Sequence, residues 1–470
     1  MAPNFGIAIG IPAPIQQLIQ RGLLEREFHD DLFPALLFRG EAQWEEWEEN
    51  TGTQIFMTRP GLLAPVTTPL VAGVDPLPQT LTYEQWSCTI NRYGATIDTH
   101  MPTSTVSIAD EFLRNIHQLG LQAGQSLNRI PRNALYQAYL SGQTASILAT
   151  NSTDTTLRVA SCNGFTTVVN LSSASGVRPA TVSAQTPLAI QLINGSTAIN
   201  LSVIGYILDN SSDINGPGTL LLSGQIGAAV ATRSAVLSTV RPKIIRAGGG
   251  NTVDAITQSD LFTLQDAINA TDYLRRNNVL PYEDGYFHGH IPNDSNTQWF
   301  QDPSFQRLTT AMPDASYHQQ GFVSEMAGIK FFLNNECPDY TNSGNRTLTG
   351  VNAMYSQDIG AETTNESQVN IGRVIVTGRG ALYEKSLDEA KYVSEAGVTG
   401  KIGDFDVVNA GIKVQTDNIR LTIRAPLDRL QDVVSTTWSC STGFAVPTDL
   451  SSGLPSLFKR AVVIEASLSQ

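Results

Sequence analysis

The longest helical pattern in the chain begins near residue 107 and reaches about 129, and it sets the scale of whatever this sequence folds into. Ile108, Phe112, Leu113, Ile116 and Leu119 recur at three-and-four spacing, Thr105 or Ser107 can cap the start, and Asp110 and Glu111 fall in the first turn. At about 1.5 Å per residue such a helix exceeds ~30 Å. Pro131 is expected to end or restart it, with a second helix over Arg132 to Leu140 that closes at Gly142. A chain of 470 residues can supply the core this demands, since roughly 150 residues per domain predicts about three domains.

What precedes the helix has no obvious partner within the chain. Ile15, Leu18, Ile19, Leu23, Leu24, Phe28 and Leu32 predict an amphipathic helical arm over 13–38, loosened by Gly22. The acidic stretch from Gly40 to Asn50 places Trp44 and Trp47 three apart, which predicts a solvated helix with a Trp-bearing buried face. A docking patch for a basic partner is the alternative. From Thr51 to Thr105 the text turns to Thr, Val, Pro and Gly with short alternating runs such as Thr80 to Ile90, the pattern of strands in a long excursion. Pro60, Gly61, Pro65, Pro69, Gly73, Pro76 and Pro78 make its tip extended. A loop of this length is unusual inside one compact domain, so it is expected to contact another chain.

Between about Asn151 and Arg246 the composition changes again, with charges scarce and Ser, Thr and Asn abundant. Alternating runs at Thr166–Leu171, Ala189–Ile193, Ala198–Ile204 and Thr219–Ser223, separated by turn clusters at Asn194-Gly195 and 215–218, predict a small all-β domain. The glycine run at 248–250 marks its exit, and helical spacing resumes over Ser259 to Arg276. The block thus reads as an insertion into an α+β parent. Strands are expected at Gly372–Thr377, between Val407 and Ile423, and at Arg460–Ala466.

Charge and motif content exclude several function classes. The 43 acidic and 30 basic residues give a net charge of -13 and a pI near 4.9, which disfavours gripping nucleic acid through the overall field. Charged residues are only 16%, against about a quarter in an average soluble protein, yet 41% hydrophobic content rules out a disordered chain. Cys88, Cys162, Cys337 and Cys440 stand far apart without CxxC spacing and are expected to be reduced thiols. The first fourteen residues lack the basic region of a secretory signal, and no window approaches the ~20 apolar residues of a membrane span. His288 and His290 share one side of a predicted strand, but Glu283, Asp284 and Asp294 complete no recognised zinc spacing. Glycine stretches at 247–250 and 378–380 form neither phosphate-binding motif, GxSxG and HExxH are absent, and paired acids such as Asp30-Asp31 and Glu45-Glu46 read as solvated faces. No residue is assigned a catalytic, cofactor-binding or metal-binding role, no cofactor is expected, and the chain is not read as an enzyme.

From Gly285 onward the sequence resembles the major capsid proteins of tailed bacteriophages, which share the Hong Kong 97 fold. The carrying residues are Gly285 to Pro292, Gln298-Trp-Phe-Gln-Asp302, Gly321 to Phe332 and Gly378-Arg-Gly-Ala381. In the tail they are Pro426-Leu-Asp-Arg-Leu430, Trp438, Gly443-Phe444 and Pro447-Thr-Asp449. Their order and spacing carry the likeness more than any one of them. Upstream, an arm, a strand-rich excursion and a long helix occur in the order that the family's arm, extended loop and spine helix require.

The resemblance implies an α+β capsid fold divided into an N-terminal arm (1–50), an extended β loop (51–105), a peripheral domain with the spine helix (106–150 and 406–470), an inserted all-β domain (151–246) and an axial domain (247–405). It implies self-assembly through pentamers and hexamers into an icosahedral head around double-stranded DNA, held by non-specific contact, with assembly in the host bacterial cytoplasm. A portal protein is an implied partner and a decoration protein a further candidate; no membrane is involved. The absence of lysine before Lys243 predicts no covalent crosslinking from the excursion, and the short segment before it predicts a separate scaffolding protein and no maturation cleavage. The competing class is a β-rich receptor- or glycan-binding virion module, which accounts for the Ser/Thr/Asn-rich strands but not for the long helix or the carboxy-terminal motifs.

Overall fold

The computed structural model describes residues 37–47, 52–60, 66–67, 69, 73, 75, 78–79, 83–100, 108–170, 178–195, 197–211, 214–251, 253–310, 325–338, 340–342, 369–387, 401–402, 405–409, 419–424, 433–449 and 458–468. The expected arm helix, apart from its last two residues, most of the excursion tip, the start of the Gly321 passage and the Pro426–Leu430 motif lie outside them.

In chain order, β1 (Ala42–Glu46) precedes a two-stranded ribbon of β2 (Gln54–Pro60) and β3 (Tyr83–Thr89), and β4 (Asn91–His100) leads to helix α1 (Ile108–Tyr139). A β-rich stretch follows: β5 (Gln143–Ala145), β6 (Thr156–Val159), β7 (Thr167–Asn170), β8 (Arg178–Thr181), β9 (Leu188–Asn194), β10 (Thr197–Leu208), β11 (Gly218–Leu222) and β12 (Ala235–Ser238). Then come β13 (Ile244–Arg246), α2 (Leu264–Arg276), β14 (Phe287–Ile291), α3 (Asn293–Trp299), α4 (Pro303–Thr310), β15 (Glu325–Met326), β16 (Ile329–Leu333), β17 (Tyr340–Asn342) and β18 (Val369–Thr377). The chain closes with β19 (Leu382–Leu387), β20 (Lys401–Ile402), β21 (Phe405–Asn409), β22 (Ile419–Arg424), β23 (Val433–Ala445) and β24 (Ala461–Ser467).

Helix α1 corrects the expectation of two helices broken at Pro131. It runs 32 residues with Pro131 inside it. A proline in a helix interior removes one donor and costs about 3 kcal/mol relative to alanine. The buried stripe of Phe112, Ile116, Leu119, Ala123 and Leu127 continues beyond the proline as Leu135, Tyr136 and Tyr139, and this burial on both sides offsets the cost.

Contacts divide the chain into two units. The first comprises 1–55, 87–132 and 382–445. Its sheet has the order β1-β19-β23-β22-β21-β20, with β4 also paired to β23. The 13-residue β23 is its spine, antiparallel to β4 from Val433↔His100 to Thr442↔Asn91. Val434, Trp438 and Cys440 on β23 are all buried, and the Trp438 indole Nε1 donates to Gln122 Oε1 at 2.7 Å. Here the acidic stretch departs from its expected helix. After a single 3-10 turn at Arg39–Glu41, residues 42–46 form a strand parallel to β19. Trp44 Nε1 donates to Ser386 Oγ at 2.8 Å and the Trp47 amide donates to the Ser386 carbonyl at 3.1 Å, so sheet pairing overrides a helical spacing that only two tryptophans supported.

The second unit comprises 56–86, 133–381 and 446–470 and contains two larger sheets. One, β5-β12-β9-β10-β11-β6, arises from the Ser/Thr/Asn-rich block and the residues just before it. Leu157, Val159, Ile190, Leu192, Val203, Leu220 and Val236 fill its core, at alternate positions along β6, β9 and β11, while β12 is buried throughout. Gly195, at φ 61°, makes the tight turn between β9 and β10. The other sheet has the order β13-β24-β18-β14-β16-β15, with β17 on β18, and packs Phe262, Ala267, Leu274 and Trp299 against Phe331, Val374, Val462 and Ile464. Helix α2 begins at Leu264 rather than 259 because Thr263 and Asp266 form a reciprocal capping box.

β24 lies between β13 and β18, and the boundaries between units fall at 381 and 445. All seven of its residues are buried, and an apolar run without alternation suits a central strand covered on both faces.

Candidate functional site

The ribbon of β2 and β3 joins no wider sheet among the described residues. Its alternation buries Met57, Glu84 and Trp86, while Phe56 and Tyr83 face outward at 55% and 42% exposure. Val66, in the connection between the strands, is 69% exposed. The inner side is anchored by charge. Arg59 forms ion pairs with both Glu84 and Asp449, its guanidinium stands 5.7 Å from the centre of the Trp86 ring, and Arg460 Nε donates to Asp449 Oδ1 at 3.0 Å. Burial pushes the neighbouring Lys459 ammonium below its ordinary value, opposed by Asp449 and Glu84. Rigid charge pairing on one side and exposed aromatic and aliphatic groups on the other suit a contact element.

Two further networks bury charge inside sheets. In the first unit, Arg39 Nε and Nη2 donate to the Glu384 carboxylate at 2.6–3.1 Å, and Thr442 Oγ1 donates to Glu384 Oε1 at 3.1 Å. In the second, Glu465 accepts from Arg246 Nε at 2.8 Å and from Arg373 Nε at 2.9 Å, and Arg246 Nη1 donates to Gln143 Oε1 at 2.9 Å. Burial alone would raise the Glu465 pKa, but the two guanidiniums outweigh it and hold the carboxyl below its usual range. These pairs tie the Arg39 turn to β19 and link β13, β24 and β18.

The histidine pair lies on β14 as the alternation predicted. His288 stacks on Tyr282 with ring centres 3.9 Å apart, and its Nε2 is 3.0 Å from Asp284 Oδ2, which also takes Lys330 Nζ at 3.4 Å. His290 is buried against Phe332 with Asn334 nearby, while Glu283 pairs with Arg379 at 3.6 Å and Asp294 lies in the first turn of α3. Of the candidate ligands, His288 and Asp284 thus meet, but no group of three or more metal-binding side chains occurs among the described residues. All four cysteines are buried thiols outside any disulfide, with burial the main cause that pushes Cys88 and Cys162 up to about 11. No described helix is long and apolar enough to cross a membrane.

Sequence reading missed Arg39, Glu384, Arg59, Arg246, Arg373 and Glu465. The available signal was a lone charge inside an apolar strand run, as in Ala461-Val-Val-Ile-Glu-Ala466 and Ile371-Gly-Arg-Val-Ile375, where a buried partner is obligatory.

The sequence matches no family profile and no curated protein. Among solved structures, the chain is similar to the capsid of the cyanophage P-SCSP1u, with 12% identity, 91% of this chain and 87% of that one covered, and a TM-score of 0.45. It is also similar to the capsid of Ralstonia phage GP4, at 10% identity, 91% and 87% coverage and a TM-score of 0.43. The cyanophage Pam1 capsid aligns at 10% identity over 91% and 88% with a TM-score of 0.44. The overlap is long and the superposition loose.

Proposed function

We propose that this chain is the shell-forming major capsid protein of a tailed bacteriophage head, assembling through pentamers and hexamers around double-stranded DNA. The observation that carries this reading is the ribbon of β2 and β3, which pairs with no larger sheet among the described residues and exposes Phe56, Tyr83 and Val66. A two-stranded ribbon is marginal alone in water, so one with an apolar outer side is built to be covered. The order of arm, ribbon, long helix and carboxy-terminal motifs supports the same reading, as does a mild net acidity, which suits a container that holds DNA without gripping it.

On this reading the partners are further copies of the chain, a separate scaffolding protein, a portal protein and, as an outer partner, a decoration protein. The β domain around 151–246 stabilises the subunit on the exposed side of the shell. Negative-stain microscopy of the expressed protein, with and without its neighbouring phage genes, tests the proposal. Polyhedral shells, tubes or capsomers are expected, and discrete monomers or trimers in every preparation overturn it. Removing 151–246 and asking whether closed shells still form separates assembly from decoration.

A further inference from the structure

A cleft of about 430 Å³ in the second unit runs between the link from β12 to β13 and helix α2. Its charged lining consists of Arg241, Lys243, Arg246 and Arg276 against the single acid Asp272. Asp272 is already paired with Arg276 at 2.8 Å. Arg246 shares Glu465 with Arg373, so one carboxylate serves two guanidiniums there. Arg241 and Lys243 add two more cations, and no further acid among the described residues lines the cleft to balance this excess. Burial first, and the charge of Arg246 second, push the Arg241 guanidinium below its ordinary value.

Arg246 gives the independent indication of a ligand. Its side chain is 3% exposed. Nε is taken by Glu465, and Nη1 donates to Gln143 Oε1 and to the Asn251 carbonyl. The buried Nη2 has no hydrogen-bond partner among the described residues. A buried donor without an acceptor is unfavourable, and the excess of cations along the cleft that Arg246 lines favours an anionic acceptor there.

We propose that this cleft receives a carboxylate side chain, Asp or Glu, from a second copy of this chain. A guanidinium presents a planar fork of donors that a carboxylate matches. A single acidic side chain can enter a recess, whereas the phosphates of a duplex lie on a stiff rod that cannot follow it. The chain is itself rich in the required group: 43 acids face 30 basic residues overall, and the first fifty residues carry nine acids against three. The inference rests on the reading of this chain as self-assembling.

Binding of a fluorescein-labelled hexaglutamate peptide to the unassembled full-length protein, followed by anisotropy, tests the recognition step. Because the protein carries a net charge of -13, a local cationic site is needed to attract such a peptide at all. The wild type is expected to bind it with salt-sensitive affinity, and hexaglutamine and a 20-base-pair duplex are expected not to compete. Arg241→Gln with Lys243→Gln should weaken binding at least tenfold and lower the assembled fraction measured by sedimentation. Lys243→Gln alone, at an exposed position, should weaken binding severalfold and guards against misfolding of the double variant. Unchanged peptide binding in both variants overturns the proposal, as does efficient competition by the duplex, which would assign the cleft to phosphate. Normal assembly of a variant that has lost peptide binding also overturns it and leaves the shell reading intact. Wild-type protein that binds the peptide yet never self-associates refutes the shell reading and the second-copy assignment together.

Discussion

Arg373 and Glu465 stand directly opposite each other on neighbouring strands, β18 and β24, with Nε to Oε1 at 2.9 Å and each side chain 1% exposed. Arg246, one strand further on, closes on the other oxygen of the same carboxylate. Three charges are thus enclosed in a sheet whose other contacts are largely apolar. Such a pair adds little net stability over an apolar replacement, but losing one member leaves an uncompensated buried charge.

Arg373→Ala is therefore expected to destabilise the protein by about 3–5 kcal/mol, read from urea unfolding. The same network sets an acid response. Glu465 titrates below its ordinary 4.5 when folded, so its contribution is complete above that pH and is lost as pH falls through the lower folded value. Unfolding midpoints measured from pH 6 down to 3 should drop, with a shallower drop in Glu465→Gln. A parallel decline in both proteins would place the acid sensitivity elsewhere.

Pro131 lies inside a continuous helix whose buried stripe resumes at Leu135. Pro131→Ala restores a backbone donor and removes a clash with the preceding turn, so thermal unfolding should shift upward by a few degrees, about 1 kcal/mol or more. A lower midpoint would mean that the proline ring itself is required for packing.

The outward ribbon residue Phe56 is expected to matter for association and not for folding. Phe56→Ser should leave circular dichroism and the unfolding midpoint within about 0.5 kcal/mol of wild type, as for an exposed position, while reducing the yield of assembled particles. Equal particle yields would show that the ribbon's exposed side stays uncovered.

Cys88 and Cys162 are buried thiols raised to about 11. Iodoacetamide at pH 8 should leave both unlabelled in the native protein and modify them in denaturant, because thiolate and access are both lacking. Rapid native labelling of either, located by peptide mass mapping, would contradict the buried placement.

Much of the fold was legible because local periodicity reports burial directly. The stripe from Phe112 to Leu119 announced α1, the alternation around Ala189–Ile193 and Ala198–Ile204 announced β9 and β10, and Gly372–Thr377 announced β18. The histidine strand was legible for the same reason. Trp44 and Trp47 misled, because two residues three apart fit a helix as well as a strand end, and the pairing with β19 lies more than three hundred residues away in sequence. Pro131 misled because the cost of a proline is local while the burial that offsets it is not.

The residues by themselves determined where the first part of α1 and many of the strands form, that the stretch from about 151 to 246 is rich in β structure, and that charge is scarce. Only the tertiary structure decided which strands meet, that β24 belongs between β13 and β18, and that Arg246, Arg373 and Glu465 converge from three distant stretches. The reason is physical. Periodicity encodes which face a residue turns to the core, but a buried charge is tolerable only beside its partner, and which partner arrives is fixed by long-range pairing that no local pattern specifies.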